Sequence, residues 1–212
     1  MLDFANFSLV VFDMDGVLVR TDEVHGQAYS DLWKRLGLDG PEYSKIAGQT
    51  TEEAIRMLTV DLRPSSEQLT TWVDFKQERA RRYLSTHDID YSDAIPTLEA
   101  LSHRGLQLAI GTGASPVSTD MILRRLGVRR LFTVVVTAED VSNGKPDPEV
   151  YRAVLDRTGE RPEDTLIVED SEAGLEAALG SGSWAVSVRT GLRSVHPRFL
   201  GAFDNLASLL TP

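Results

Sequence analysis

The sequence predicts an α/β fold: a doubly wound, mostly parallel sheet carrying an inserted all-helical segment. Three observations predict it. Short, nearly continuous apolar runs recur along the 212 residues and read as strands covered on both faces. Helical patterns with their own start signals alternate with the later runs. About 75 residues of helical periodicity separate the first run from the second, far more than one crossover connection requires.

Taken in order, the first strand is predicted at residues 8–12. In the segment that follows, Val24, Ala28, Leu32 and Leu36 fall on one helical face, and residues 53–62 and 68–84 also read as helices. Gly37, Gly40-Pro41, Gly48, Pro64 and residues 88–93 punctuate them. Further strands are predicted at 106–111, 132–137, 165–169 and 184–188. Ser115-Pro116 is an N-cap and first-turn pair for a helix ending near Gly127, and Asp147-Pro148 repeats the signal for one ending at Gly159. A third helix is expected over 171–179. The expected division is a core of residues 1–17 and 93–212, with a helical domain of residues 18–92 between its two parts.

Composition narrows the function. The formal charge is −10, from 22 basic and 32 acidic residues, which argues against nucleic acid or an anionic membrane as the main partner. There is no cysteine, hence no disulfide, thiol nucleophile or thiolate-bound metal. No stretch approaches the roughly 20 apolar residues of a membrane span, and residues 7–12 lack the basic leader of a targeting segment. A soluble, cytoplasmic, monomeric protein is the expectation.

Ligands of open α/β sheets bind beyond the carboxyl ends of the strands. Here those ends carry Asp13-Met14-Asp15-Gly16, Thr112-Gly113 and Glu169-Asp170, and the loop after the third strand carries Gly144-Lys145-Pro146. In an extended segment Asp13 and Asp15 would point the same way, and two adjacent carboxylates need a cation or a shared proton. With Glu169 and Asp170 they form an oxygen-rich set that suits Mg²⁺. Gly113 lets the backbone approach a ligand, and the helix beginning at Ser115 turns its amino terminus toward an anion. Phosphoryl transfer needs such parts: a nucleophile, a metal, and donors on the transferred oxygens. An Asp can attack phosphorus, and a second carboxyl can serve as acid and then base.

Asp13-Met14-Asp15-Gly16-Val17-Leu18 resembles the signature of the haloacid dehalogenase-like hydrolase superfamily. Thr112, the run from Gly144 to Pro148, and Val168-Glu169-Asp170-Ser171 resemble its other three motifs, in the right order. The resemblance spans essentially the whole chain and implies a Rossmann-like core with a helical cap that closes over the site. It implies that Asp13 is the nucleophile and a Mg²⁺ ligand, and that Asp15 is the acid/base whose backbone carbonyl also binds the metal. Thr112 and the N–H of Gly113 would hold the phosphoryl group, and Lys145 would neutralise nucleophile and phosphate. Asp170 would ligate the metal directly, and Glu169 either directly or through water. Gly16 belongs to the same substrate-facing loop. A carboxylate at position 15 separates this sequence from the dehalogenases and the phosphonate-cleaving relatives, which lack one there.

Within the segment 18–92, His25-Gly26-Gln27-Ala28-Tyr29 is similar to a His-x-x-Ala-Trp stretch of β-phosphoglucomutase-like members, in which the His couples cap closure to the acid/base carboxylate. Gly48 matches the glycine of their substrate loop. The arginine that holds the second phosphate in the mutase is replaced by Thr51, the lysine before the glycine by Ala47, and the remaining cap lysine by Arg79. Arg79 therefore becomes the candidate anion-binding cation of the cap, although Arg79, Arg81 and Arg82 equally describe a solvated helix face. The expected activity is a Mg²⁺-dependent phosphatase acting on a small phosphorylated metabolite, a sugar phosphate in the first instance. β-Phosphoglucomutase activity is the alternative, and a non-catalytic receiver-like or binding domain the contrast.

Overall fold

The structure is a computed structural model and describes residues 2–47 and 49–210. Its sheet is built from β1 (Leu9–Phe12), β2 (Gln107–Gly111), β3 (Phe132–Val136), β4 (Thr165–Glu169), β5 (Trp184–Val188) and β6 (Phe199–Phe203). All adjacent pairs are parallel, in the order β3-β2-β1-β4-β5-β6. The five expected strands are present, within a residue of their expected limits.

Strand alternation decides the two faces. Val10 and Phe12 of β1 join Leu108, Ile110, Leu166 and Val168 on one face, packed by Leu98 and Leu101 of α4 (Ala94–His103) and Ile122 and Leu123 of α5 (Pro116–Arg125). Leu9 and Val11 turn to the other face with Ala109 and Ile167. They meet Val150, Tyr151 and Val154 of α6 (Glu149–Thr158) and Leu175 and Ala178 of α7 (Glu172–Gly180). Helices on both faces are what let these strands be apolar throughout. Ser115 and Ser171 cap α5 and α7 through Ser118 N and Gly174 N, and Asp147 Oδ1 accepts from Glu149 N at the start of α6.

Two elements differ from expectation. Helix α4 lies between the punctuated stretch 88–93 and the second strand, where no helix is predicted from the sequence. Edge strand β6 reads as loop because Gly201 interrupts it, and the β5–β6 register slips between Ala185 and Val186. Such an irregularity is ordinary at a sheet edge.

Between β1 and α4 stand α1 (Asp22–Leu36), α2 (Thr51–Leu58) and α3 (Ser66–Leu84). Tyr29, Leu32, Trp33, Ile46, Ala54, Ile55 and Leu69 give them a core of their own. Thr50 with Glu53, and Ser65 with Gln68, form capping boxes that start α2 and α3. The chain enters and leaves this helical insert side by side: Arg20 N donates to Ile89 O at 2.7 Å, and Val19 pairs antiparallel with Asp90. Arg189, at the end of β5, grips both crossings. Its guanidinium donates to Val17 O, pairs with Asp93 at 2.8 Å, and lies 3.5 Å over the Tyr91 ring. Its backbone holds φ +68°, a left-handed conformation unusual for a side chain of this size.

Candidate active site

The carboxyl ends of β1, β2 and β4 and the loop carrying Lys145 converge, as the motif order requires. Asp13 continues β1 by one further bond, its N–H donating to Val168 O at 3.0 Å. Lys145 Nζ is buried and lies 2.6 Å from both Asp13 Oδ1 and Glu169 Oε1. Tyr151 OH donates to the same Glu169 oxygen at 2.5 Å. The other Glu169 oxygen accepts from the N–H groups of Asp170 and Ser171 and from Ser171 Oγ. Both oxygens of Glu169 are thus engaged by protein donors.

Asp13 and Asp15 border the same cavity. Past Asp13 the chain turns, the N–H groups of Leu18 and Val19 both donating to Met14 O. Asp15 faces the insert. Thr21 Oγ1 donates to its Oδ1 at 2.5 Å, and His25 Nε2 stands 3.5 Å from the same atom. Lys76, buried on α3, closes this chain with Nζ 3.0 Å from His25 Nδ1 and 4.4 Å from the centre of the Tyr29 ring.

The electrostatics follow the geometry. Burial, reinforced by Glu169 and Asp15, pushes Asp13 up to about 7 against the pull of Lys145. Burial with Glu169 and Asp13 pushes Asp170 up to about 9. Asp15 is held below the usual carboxylate range: burial raises it, but the charge and hydrogen bond of His25 and the bond from Thr21 outweigh that. Burial and Lys76 depress His25, and burial brings Lys76 itself down to about 8.

Asp13, Glu169 and Asp170 can bring one carboxylate oxygen each within 4.8 Å of one another. Among the described residues, Asp170 has no donor to its carboxylate, and Gly16 (φ +80°) lies so close beneath it that a Cβ would overlap the carboxyl group. Crowded, buried and under-neutralised oxygens of this kind fit a hard dication such as Mg²⁺.

A cavity of about 50 Å³ joins these groups, bordered by Asp13, Asp15, His25, Thr112, Gly113, Lys145 and Asp170. Thr112 Oγ1 accepts from Ala114 N at 3.2 Å at the entrance to α5. The insert contributes Gln49, Thr51 and Lys76. Arg79 does not border the cavity. One turn beyond Lys76, it pairs with Asp31 at 2.5 Å and bonds Tyr83. The cation that the insert presents to the cavity is therefore Lys76, which polar and charged neighbours along the helix (Gln77, Glu78, Arg79) hid in the sequence. Gly48 lies outside the described residues. Tyr151 and Thr21 were also missed: Tyr151 reads as a core aromatic of α6, and Thr21 as a helix cap.

A family model described as "haloacid dehalogenase-like hydrolase" matches residues 10–188. The chain belongs to this family. Among relatives of this hydrolase, the phosphorylated carbohydrates phosphatase of Thermotoga maritima is 32% identical over 177 residues, covering 82% of this chain and 81% of that one. The fructose-1-phosphate phosphatase of Escherichia coli is 28% identical over 194 residues, covering 88% and 98%. The crystal structure of CbbY from Rhodobacter sphaeroides in complex with phosphate superposes with a TM-score of 0.80 at 26% identity, covering 96% of each chain. Among the described residues of the hydrolase, no helix is long and apolar enough to cross a membrane.

Proposed function

We propose that this hydrolase is a Mg²⁺-dependent phosphatase of sugar phosphates that works through an aspartyl-phosphate. The observation that carries the reading is the separation of two neighbouring carboxylates into two environments. Asp13 is tied to Lys145 in the core, and Asp15 is tied to Thr21 and His25 of the insert. Groups so separated suit a nucleophile and an acid/base. Residues 18–92 then act as a cap over a core of residues 1–17 and 93–212.

In this mechanism Asp13 attacks phosphorus in line with the leaving oxygen. A P–Oδ bond to Asp13 forms as the bond from phosphorus to the sugar oxygen breaks, and Asp15 gives that oxygen its proton. The approach of a phosphate dianion raises the affinity of Asp15 for that proton. Asp15 then takes a proton from water, which attacks the phosphorus and frees Asp13. Lys145, the Thr112 hydroxyl and the N–H of Gly113 hold the phosphoryl oxygens. Mg²⁺, when bound, would be held by Asp13, Asp170 and the Asp15 carbonyl and would neutralise charge on the phosphoryl group. Full engagement of Glu169 by protein donors supports its acting on the metal through water rather than directly.

Sugar phosphates are favoured because two of the relatives are phosphatases of phosphorylated carbohydrates and of fructose 1-phosphate, while others act on validoxylamine A 7'-phosphate and on FMN. One buried insert cation, Lys76, gives weaker support to a bisphosphate intermediate than to a single phosphate on a hydroxyl-bearing body. A panel of sugar phosphates, phosphoglycolate and nucleotides, assayed with and without Mg²⁺, tests the reading. Asp13→Asn should lower turnover at least roughly 10³-fold; unchanged turnover defeats the mechanism. Accumulation of glucose 6-phosphate from β-glucose 1-phosphate and a trace of the 1,6-bisphosphate, without free phosphate, would identify a mutase instead.

A further inference from the structure

The insert touches the catalytic loop at a second place, away from Asp15 in the sequence. Gly144, the residue before Lys145, donates its N–H to Glu53 Oε1 of α2 at 2.9 Å. The other oxygen of Glu53 accepts from Thr50 N at 3.0 Å and Thr50 Oγ1 at 2.6 Å. One carboxylate is therefore split between capping its own helix and holding a backbone amide of the core. The opposite side of the same short turn is also bonded, Asp147 N donating to Gly144 O at 3.0 Å. A Cβ at position 144 would overlap the Glu53 carboxyl and the Thr50 methyl, so this close approach needs glycine.

The cavity beneath the insert is small, about 50 Å³. Small-molecule pockets usually enclose about 300–1,000 Å³, so a sugar phosphate enters only when the insert moves off the core. Each turnover then breaks and remakes the Glu53–Gly144 bond. This charge-assisted bond meets the amide one residue before Lys145, whose ammonium reaches both Asp13 and Glu169.

We propose that Glu53 is a positioning residue: its bond to Gly144 ties closure of the insert to placement of the Lys145 ammonium. The inference rests on the phosphatase reading above for its link to turnover, but its structural half stands apart from it. Three substitutions isolate the bond. Glu53→Gln keeps length but has one acceptor oxygen for two donors, Thr50 N and Gly144 N. Glu53→Asp keeps the charge at the start of α2 but falls a methylene short of Gly144. Gly144→Ala pushes the carboxylate away. Thr50→Ala weakens the cap of α2 while leaving the Gly144 bond, and controls for helix stability.

The chain has no cysteine, so cysteines introduced at the exposed positions Glu67 of α3 and Asp156 of α6 carry spin labels without background. Pulsed-dipolar distances are read with and without Mg²⁺ and inorganic phosphate. Hydrolysis of p-nitrophenyl phosphate is read on the unlabelled variants. Glu53→Gln, Glu53→Asp and Gly144→Ala should each populate longer distances and lose roughly tenfold or more in kcat/KM, the size expected for a lost charge-assisted bond. Thr50→Ala should melt earlier yet keep the wild-type distances and activity within about twofold. Unchanged distances in the two Glu53 variants, or shifted distances with unchanged turnover, overturn the proposal. A wild-type protein without phosphatase activity would overturn the assigned function instead, and the distances would still decide whether Glu53 holds the insert closed.

Discussion

Lys76 Nζ stands 3.0 Å from Nδ1 of His25, and this contact sets the tautomer of the ring. A charged ammonium only donates, so Nδ1 accepts and the ring proton sits on Nε2, facing Asp15. Burial brings Lys76 down to about 8, so the arrangement holds at neutral pH and relaxes above it. With saturating Mg²⁺, kcat/KM should fall as pH rises through about 8. Lys76→Met should lie on a lower plateau that lacks this alkaline limb.

The same lysine affects stability in the opposite sense. Its folded value lies below the ordinary 10.5, so between about 8 and 10.5 the unfolded chain binds the extra proton and stability rises with pH there. The cost of burying the ammonium is therefore fully present at pH 7. Lys76→Met should melt a few degrees higher than wild type at pH 7, with the gain shrinking as pH rises from about 8 toward 10.5, as measured by thermal melts.

Asp13 and Asp170 give a third expectation. Their folded values, about 7 and about 9, lie above the ordinary 3.8. The folded protein thus holds more protons than the unfolded chain over that range, and without metal its stability falls as pH rises from about 4 toward 9. Mg²⁺ binds the ionised carboxylates and offsets the loss. The rise in Tm on adding Mg²⁺ to chelator-treated protein should be larger at pH 8.5 than at pH 5.5.

Tyr151→Phe removes one of the two donors on Glu169 Oε1 and leaves Lys145 as the other. The buried carboxylate then lacks a charge-assisted bond, at a cost of about 1.5–3 kcal/mol. Urea unfolding should report that loss. Turnover should fall less than about tenfold, because Lys145 keeps its bond to Asp13.

Most of the sheet was legible because its strands are buried on both faces and therefore nearly continuously apolar, as in Leu9–Phe12 and in the centre of Thr165–Glu169. Strand β6 lacks that signal: it lies at an edge, is only half covered and contains Gly201. The core site was legible because Asp13, Thr112, Lys145 and Asp170 each end a strand or follow one, where the sheet itself brings them together. The insert was less so. Helical periodicity places Lys76 and Arg79 on one helix, but only packing against Tyr29 and His25 selects Lys76 for the cavity, while Asp31 draws Arg79 away. Nor could sequence spacing announce the bond between Glu53 and Gly144, which are 91 residues apart.

The paired crossings at Val19 and Asp90 have a consequence for how such a protein can be altered. The chain departs and returns through two residues already bonded to each other, so no strand order or sheet register depends on the length of what lies between. The region is a detachable module on a fixed chassis. A short turn joining the two crossings would close the chain with its sheet connectivity intact, and a foreign helical module with neighbouring ends could be spliced in the same place. Any replacement would have to bring its own counterparts of Thr21, His25 and Glu53, whose bonds reach Asp15 and the loop before Lys145.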